Sequence, residues 1–162
     1  HTHYDDLWTA GKVMYKLEPV VATGGRLIIY APHIDTISYT HDRWIRRVGY
    51  HVRDYFLSQM DRFTSIPRGV LAHSTHVRGT GTFENGVEKP RIRVVLATAV
   101  PENQCRAVNL EYRDPSDFHL ATWQTQDSRK RLLVNPAGET LYRVNNPKNK
   151  NGKGIFNANR NS

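Results

Sequence analysis

Gly24-Gly-Arg-Leu-Ile-Ile-Tyr-Ala31 is the stretch that decides the fold class. Arg26–Ala31 has an apolar centre and reads as a strand buried on both faces. Ahead of it, Leu7, Ala10, Met14, Leu17 and Val21 recur at helical spacing, so a helix is expected over 7–23, with the two glycines ending it. Pro19 lies inside that span and predicts a kink or a break into two pieces near Leu17. Helix, Gly-Gly and buried strand, in that order, make one αβ unit of a layered α/β fold.

Working outward, residues 32–40 form a loop leaving the strand's carboxyl end. Trp44, Ile45, Val48, Val52, Tyr55, Phe56, Met60 and Phe63 then trace a helical stripe that Gly49 divides. A short helix is expected over 67–77, with Pro67 at a permitted early position. Residues 78–90 contain Gly79, Gly81 and Asn85-Gly86 and read as a turn-rich loop. Residues 91–98 are the clearest strand, a short helix opens at Pro101-Glu102, and 110–113 is a further strand. A helix start is expected near 115–122, and late strands at 131–135 and 140–144. Strands alternating with helices predict a mostly parallel sheet flanked by helices, with ligands beyond the strands' carboxyl ends. The domain is expected to span 1–144, followed by a disordered Asn/Lys-rich tail over 145–162.

Totals bound the function. With 162 residues the chain suffices for one domain with a core. The longest apolar runs are short, which predicts no membrane span, and no secretory signal is visible. A single cysteine, Cys105, excludes an internal disulfide and, with no leader, points to the cytoplasm. The chain begins His1-Thr2-His3, which reads as a piece of something longer. The formal charge is +8, but Lys148, Lys150, Lys153 and Arg160 leave the folded part with 19 bases against 15 acids. Nucleic acid is therefore not the expected partner, although a basic nucleic-acid-binding module stays open as an alternative.

Asp5 and Asp6 offer N-cap oxygens to the first helix, and Trp8 and Lys12 stand one turn apart, placing an apolar surface beside an ammonium. Backbone N–H groups at the helix start would add to that cation's pull on an anion. On spacing alone, a solvated lysine beside a half-buried tryptophan is the stronger reading. His73 and His76 are spaced to share an ion, and with His33 they sustain a second alternative, a stand-alone metalloenzyme. No Cys pair or His-Glu-x-x-His accompanies them, so structural roles rank first and no metal ligand is assigned. Glu84 and Glu88 read as solvated charges of an exposed turn, and His41 and His51 as surface or interhelical residues.

Several stretches together resemble a known family. Asp6-Leu-Trp-Thr-Ala-Gly-Lys-Val-Met14, the run from Glu18 to His33, Gly69-Val-Leu-Ala-His-Ser-Thr-His-Val-Arg-Gly79, Glu84-Asn-Gly-Val-Glu-Lys-Pro90 and the following strand look like the C-terminal domain of the nickel-dependent lactate racemases. The likeness covers residues 4–144. It implies a two-domain α/β enzyme interconverting stereoisomers of small 2-hydroxy acids with a nickel-pincer nucleotide. In that family the α-hydrogen passes as hydride to the cofactor while a histidine takes the hydroxyl proton. The histidines and the cofactor-tethering lysine belong to the N-terminal domain, so no catalytic residue is expected in this chain. The resemblance makes Lys12, Trp8 and Thr9 substrate- or cofactor-binding residues, and that N-terminal domain the partner. His33, His73, His76 and Arg78 lie in similar stretches without an assigned role.

Overall fold

The computed structural model describes residues 5–124, 131–134, 137, 141–144 and 156–159, the last two segments by backbone only. Three parallel strands form the central sheet, β1 (Arg26–Ala31), β4 (Arg93–Thr98) and β5 (Glu111–Tyr112), in the order β1-β4-β5. β1 and β4 pair over their whole length, Leu27 opposite Val94 and Ile29 opposite Leu96. β4 is the central strand, and from Val94 to Thr98 every residue is buried, as a parallel strand covered on both faces requires. Each such aliphatic side chain contributes roughly 1.5–3 kcal/mol, so β4 anchors the core.

The first helical segment comes in three pieces: α1 (Leu7–Ala10), α2 (Val13–Leu17) and a 3₁₀ turn, Glu18–Val20. The expected break at Pro19 is the last junction, whereas the earlier one falls at Gly11-Lys12. There both residues keep helical dihedrals, but Lys12 N–H and Met14 N–H bond only three residues back. A Cβ on Gly11 would lie 2.9 Å from Val77 Cγ2, so the glycine lets α5 (Arg68–Arg78) approach closely. Gly24 takes a φ of 77° at the turn into β1.

The stripe over 42–63 divides at Gly49 (φ 76°) into α3 (Asp42–Val48) and α4 (Arg53–Leu57), with a 3₁₀ turn at Met60–Phe63. α6 (Glu102–Ala107) crosses from β4 to β5, and α7 (Leu120–Gln124) follows.

Two expectations need correction. Residues 78–90 are not an irregular loop: β2 (Gly81–Glu84) and β3 (Val87–Pro90) form an antiparallel hairpin. Its turn is Asn85-Gly86 with φ 51° and 76°, the left-handed pair that matches strand twist in two-residue hairpins. Residues 131–134 form no strand, because they lack a neighbouring edge to pair with among the described residues. β6 (Leu141–Val144) exists as expected, and it pairs antiparallel with β7 (Phe156–Asn159). The tail expected to be disordered therefore contributes one short strand, since a ladder needs only backbone groups. The remainder of 145–162 lies outside the described residues. No helix among the described residues is long and apolar enough to cross a membrane.

Candidate functional site

β1 ends at Ala31, and the loop beyond its carboxyl end receives the start of α1. Leu7 N–H bonds Thr36 O and Trp8 N–H bonds Ile37 O, at 3.0 and 2.9 Å. Asp6, buried at 7% exposure, accepts Thr9 N–H at 2.9 Å through Oδ1 and Tyr39 N–H at 3.1 Å through Oδ2. The N-cap expected of Asp6 is thus present. The expected pull of free N–H groups on an anion is not, because Leu7, Trp8 and Thr9 have already spent theirs on the protein. An anion recognised here would have to be held by side chains such as Lys12 and not by the helix start.

Trp8 is half-buried, and its ring faces carry histidines. His73 stacks on it at 3.7 Å with a 10° interplanar angle, and His41 lies at 4.2 Å, tilted 40°. The flat apolar surface inferred from spacing is therefore occupied from within, and Trp8 presents its edge rather than a stacking platform. His73 also donates its Nε2–H to Trp8 O at 2.7 Å, which leaves Nδ1 as a bare acceptor, buried with no partner among the described residues. Tyr50 lies 5.8 Å from the His73 ring and is fully buried, its hydroxyl likewise unpartnered there. Burial, then the charge of Asp6, raises the Tyr50 phenol above its ordinary range.

Burial lowers the His73 pKa to about 4, opposed by the bond to Trp8 O and assisted by the charge of Lys12. His73 is therefore neutral at pH 7. Its folded pKa lies below its unfolded one, so the stability it contributes is complete above the unfolded value and is lost as pH falls. Between the ordinary histidine value of 6.5 and about 4, the unfolded chain takes up a proton that the folded chain refuses. We expect this to cost about 3 kcal/mol across that window and nothing further below it. Urea titrations at pH 7 and 4.5 measure the effect, and His73→Gln should flatten this part of the profile; an unchanged slope would contradict it.

Lys12 is exposed and its ammonium makes no hydrogen bond or ion pair among the described residues, yet it stands close enough to His73 to act on its charge. Thr9 is half-buried beside it. Surface recesses of about 370 and 210 Å³ run along α4 and α5 and include none of Trp8, Thr9 and Lys12.

The other histidines separate. His76 is exposed against Tyr15, 5.8 Å away, whereas His73 is buried, so the two do not combine. His33 is exposed on the loop after β1. Among the described residues no group of three His, Cys, Asp or Glu stands close enough to hold a metal ion.

A second polar cluster escaped the sequence reading. Glu88, read as a solvated turn charge, points inward with 13% of its side chain exposed. It accepts from His51 Nδ1 at 3.0 Å, Val52 N–H at 2.7 Å and Asn109 Nδ2 at 3.0 Å, with Arg78 Nε 3.9 Å away. Burial opposes its charge, but these hydrogen bonds and the positive charge of Arg78 outweigh burial and hold its pKa below the usual carboxylate range. His51 in turn stacks on Tyr55 at 3.7 Å. The cluster ties the hairpin to α4, α5 and the start of β5. It is a structural fastening that gives Arg78 a partner and a place.

No protein-family model and no curated protein matches the chain. It is similar to a solved crystal structure of a protein from Thermotoga maritima, with 41% identity and a TM-score of 0.79. The match covers 87% of this chain and 34% of that one, so the chain spans about a third of that protein's length.

Proposed function

We propose that this chain forms one wall of an interdomain cleft in a racemase or epimerase of 2-hydroxy acids, of the nickel-dependent lactate racemase type its sequence resembles. The observation that carries the reading is Lys12: an exposed cation whose ammonium has no protein partner among the described residues, one helical turn from Trp8, whose ring His73 and His41 cover. A lone exposed ammonium in water grips a carboxylate weakly. Covered by a facing domain, the same group makes a charge-assisted hydrogen bond in a drier setting, where it is about twice as strong as a neutral one. That this domain matches only 34% of a longer solved protein is consistent with such a facing domain.

The residues present suit part of a nickel-pincer nucleotide. The Lys12 ammonium fits its anionic groups or the substrate carboxylate, while the covered Trp8 ring is ill-placed to stack on a planar cofactor. When bound, that cofactor supplies the hydride acceptor. This chain's part is to bind and orient: Lys12 fixes the anion, Thr9 offers a neighbouring hydroxyl, and the aromatic stack excludes water from one side.

The test is direct. Full-length protein, loaded with cofactor, is incubated with single enantiomers of lactate, malate and aryl 2-hydroxy acids, and chiral chromatography follows the opposite enantiomer. Interconversion of at least one is expected; none, with cofactor bound, would overturn the reading.

A further inference from the structure

We infer that the groove α5 forms with α4 and the 3₁₀ turn at Met60–Phe63 is a docking site for an acidic segment of another protein, which seats one or two apolar side chains in it. The inference is independent of the chemistry proposed for Lys12.

Arg68, Leu71, Ala72, Thr75 and His76 recur at i, i+3, i+4, i+7 and i+8 and so share one face of α5. That face lines both surface recesses, which have Arg53 and Thr75 in common. The stripe from Arg68 to His76 is roughly 12 Å long, about two turns of a partner helix or four residues of extended chain. The recess of about 210 Å³ is apolar, with Phe56, Leu57, Met60, Leu71 and Ala72 in its walls. Leu57 and Met60 are 59% and 39% exposed, although both are large and apolar. Apolar surface of this kind, rimmed by charge, marks a place where another molecule sits. The recess is smaller than the roughly 300–1,000 Å³ of small-molecule pockets, so it suits side chains of a partner and not a free ligand. The adjoining recess of about 370 Å³ is polar, lined by Tyr15, Asp54, His76 and Thr80 among others.

Charge selects the partner. Arg68 is exposed, and its guanidinium makes no hydrogen bond or ion pair among the described residues. Arg53, with 77% of its side chain exposed, reaches Asp54 at 3.7 Å, a pair too loose and too wet to hold it. The other acid lining the recesses, Glu18, is already committed. It accepts Thr80 N–H at 2.8 Å and the Thr80 hydroxyl at 2.6 Å, with Arg91 Nε 3.5 Å away. An apolar hollow with arginines on its rim is complemented by an apolar side chain flanked by carboxylates. A second copy of the chain is a poorer occupant, because a two-fold contact centred here sets these arginines against their own equivalents. An anionic membrane suits the arginines, but it takes up apolar residues that protrude, whereas these line a hollow.

Phage display of random twelve-residue peptides on the full-length protein, followed by fluorescence anisotropy of the enriched sequences, tests the inference. Enriched peptides should carry Asp or Glu on either side of Leu, Ile, Phe or Met. Met60→Glu should weaken their binding roughly tenfold or more, and so should Arg53→Glu combined with Arg68→Glu. Circular dichroism of these variants should match the parent, because all three side chains are exposed. Enrichment of basic or uncharged peptides, or binding that the substitutions leave unchanged, would overturn the inference. So would a failure to enrich any peptide, the result expected if another part of the longer protein already covers the groove. A dimer in sedimentation that Met60→Glu disperses would assign the groove to a second copy. Pelleting with phosphatidylserine vesicles that Met60→Glu abolishes would assign it to a lipid surface. Either result overturns the inference as well.

Discussion

Lys12→Ala in the full-length protein is expected to lower kcat/KM for a 2-hydroxy acid roughly 100-fold while leaving Tm within a degree or two. A hydrogen bond to a charged group contributes about 1.5–3 kcal/mol, or a factor of roughly 10–150, and more where the facing domain excludes water. Stability should hold because the side chain is exposed and bonds nothing among the described residues; such surface changes usually fall within about 0.5 kcal/mol. Lys12→Arg keeps the charge but spreads it over a planar fork, so it should recover part of the rate. The loss should fall mostly on KM if the ammonium holds the carboxylate equally in ground and transition states, and on kcat if its grip tightens during reaction. Steady-state kinetics decide this. Unchanged values for both constants would remove Lys12 from the site.

The largest expected effect on the fold lies elsewhere. Glu88→Ala should destabilise the domain by about 3–5 kcal/mol, because it strands a half-buried cation and several donors together. Arg78, with 14% of its side chain exposed, would lose its nearby carboxylate, and Val52 N–H and Asn109 Nδ2 would lose their acceptor. Glu88→Gln keeps one acceptor oxygen and should cost less. Thermal unfolding at pH 7 provides the comparison, and a drop of about 10 °C for the alanine variant is the expected scale. Because the folded pKa of Glu88 lies below its unfolded one, its stabilisation is complete above the unfolded value of 4.5 and fades as pH falls through the lower folded value. This loss sets in at lower pH than that of His73, so the two are separable in one acid titration. A Glu88→Ala protein as stable as its parent would show the cluster to be decoration.

The sheet was legible because its signal is local and apolar. Val94–Leu96 announces a strand buried on both faces without help from distant residues, and Gly49 marks its own break. Leu27–Ile29 announces a strand equally well, but β1, read as buried on both faces, buries only Leu27, Ile29 and Ala31 and leaves Arg26 and Tyr30 exposed, because one of its faces is not covered. The hairpin was misread although Asn85-Gly86 stood in view, because its flanks, Thr82, Glu84, Glu88 and Lys89, carry too little apolar alternation to look like strands. They pair because β2 packs against α4, a contact that spacing along the chain does not announce. The site followed the same rule. Lys12 and Trp8 were found together because one helical turn separates them. The histidines that cover Trp8 lie 33 and 65 residues downstream in the chain, where periodicity carries no information. Glu88 was misjudged for that reason also: its partners His51 and Asn109 lie far off in sequence, and only folding turns it inward.

Asp6 has a consequence for motion. One carboxylate is shared by the opening turn of α1 and the Tyr39 amide, so it reinforces the backbone bonds to Thr36 and Ile37 that button helix to loop. A jostle of residues 36–39 is thereby shared with the backbone of Leu7 and Trp8, instead of dying out in the loop. Whatever presses on that loop will therefore press on the opening turn of α1, which carries Trp8.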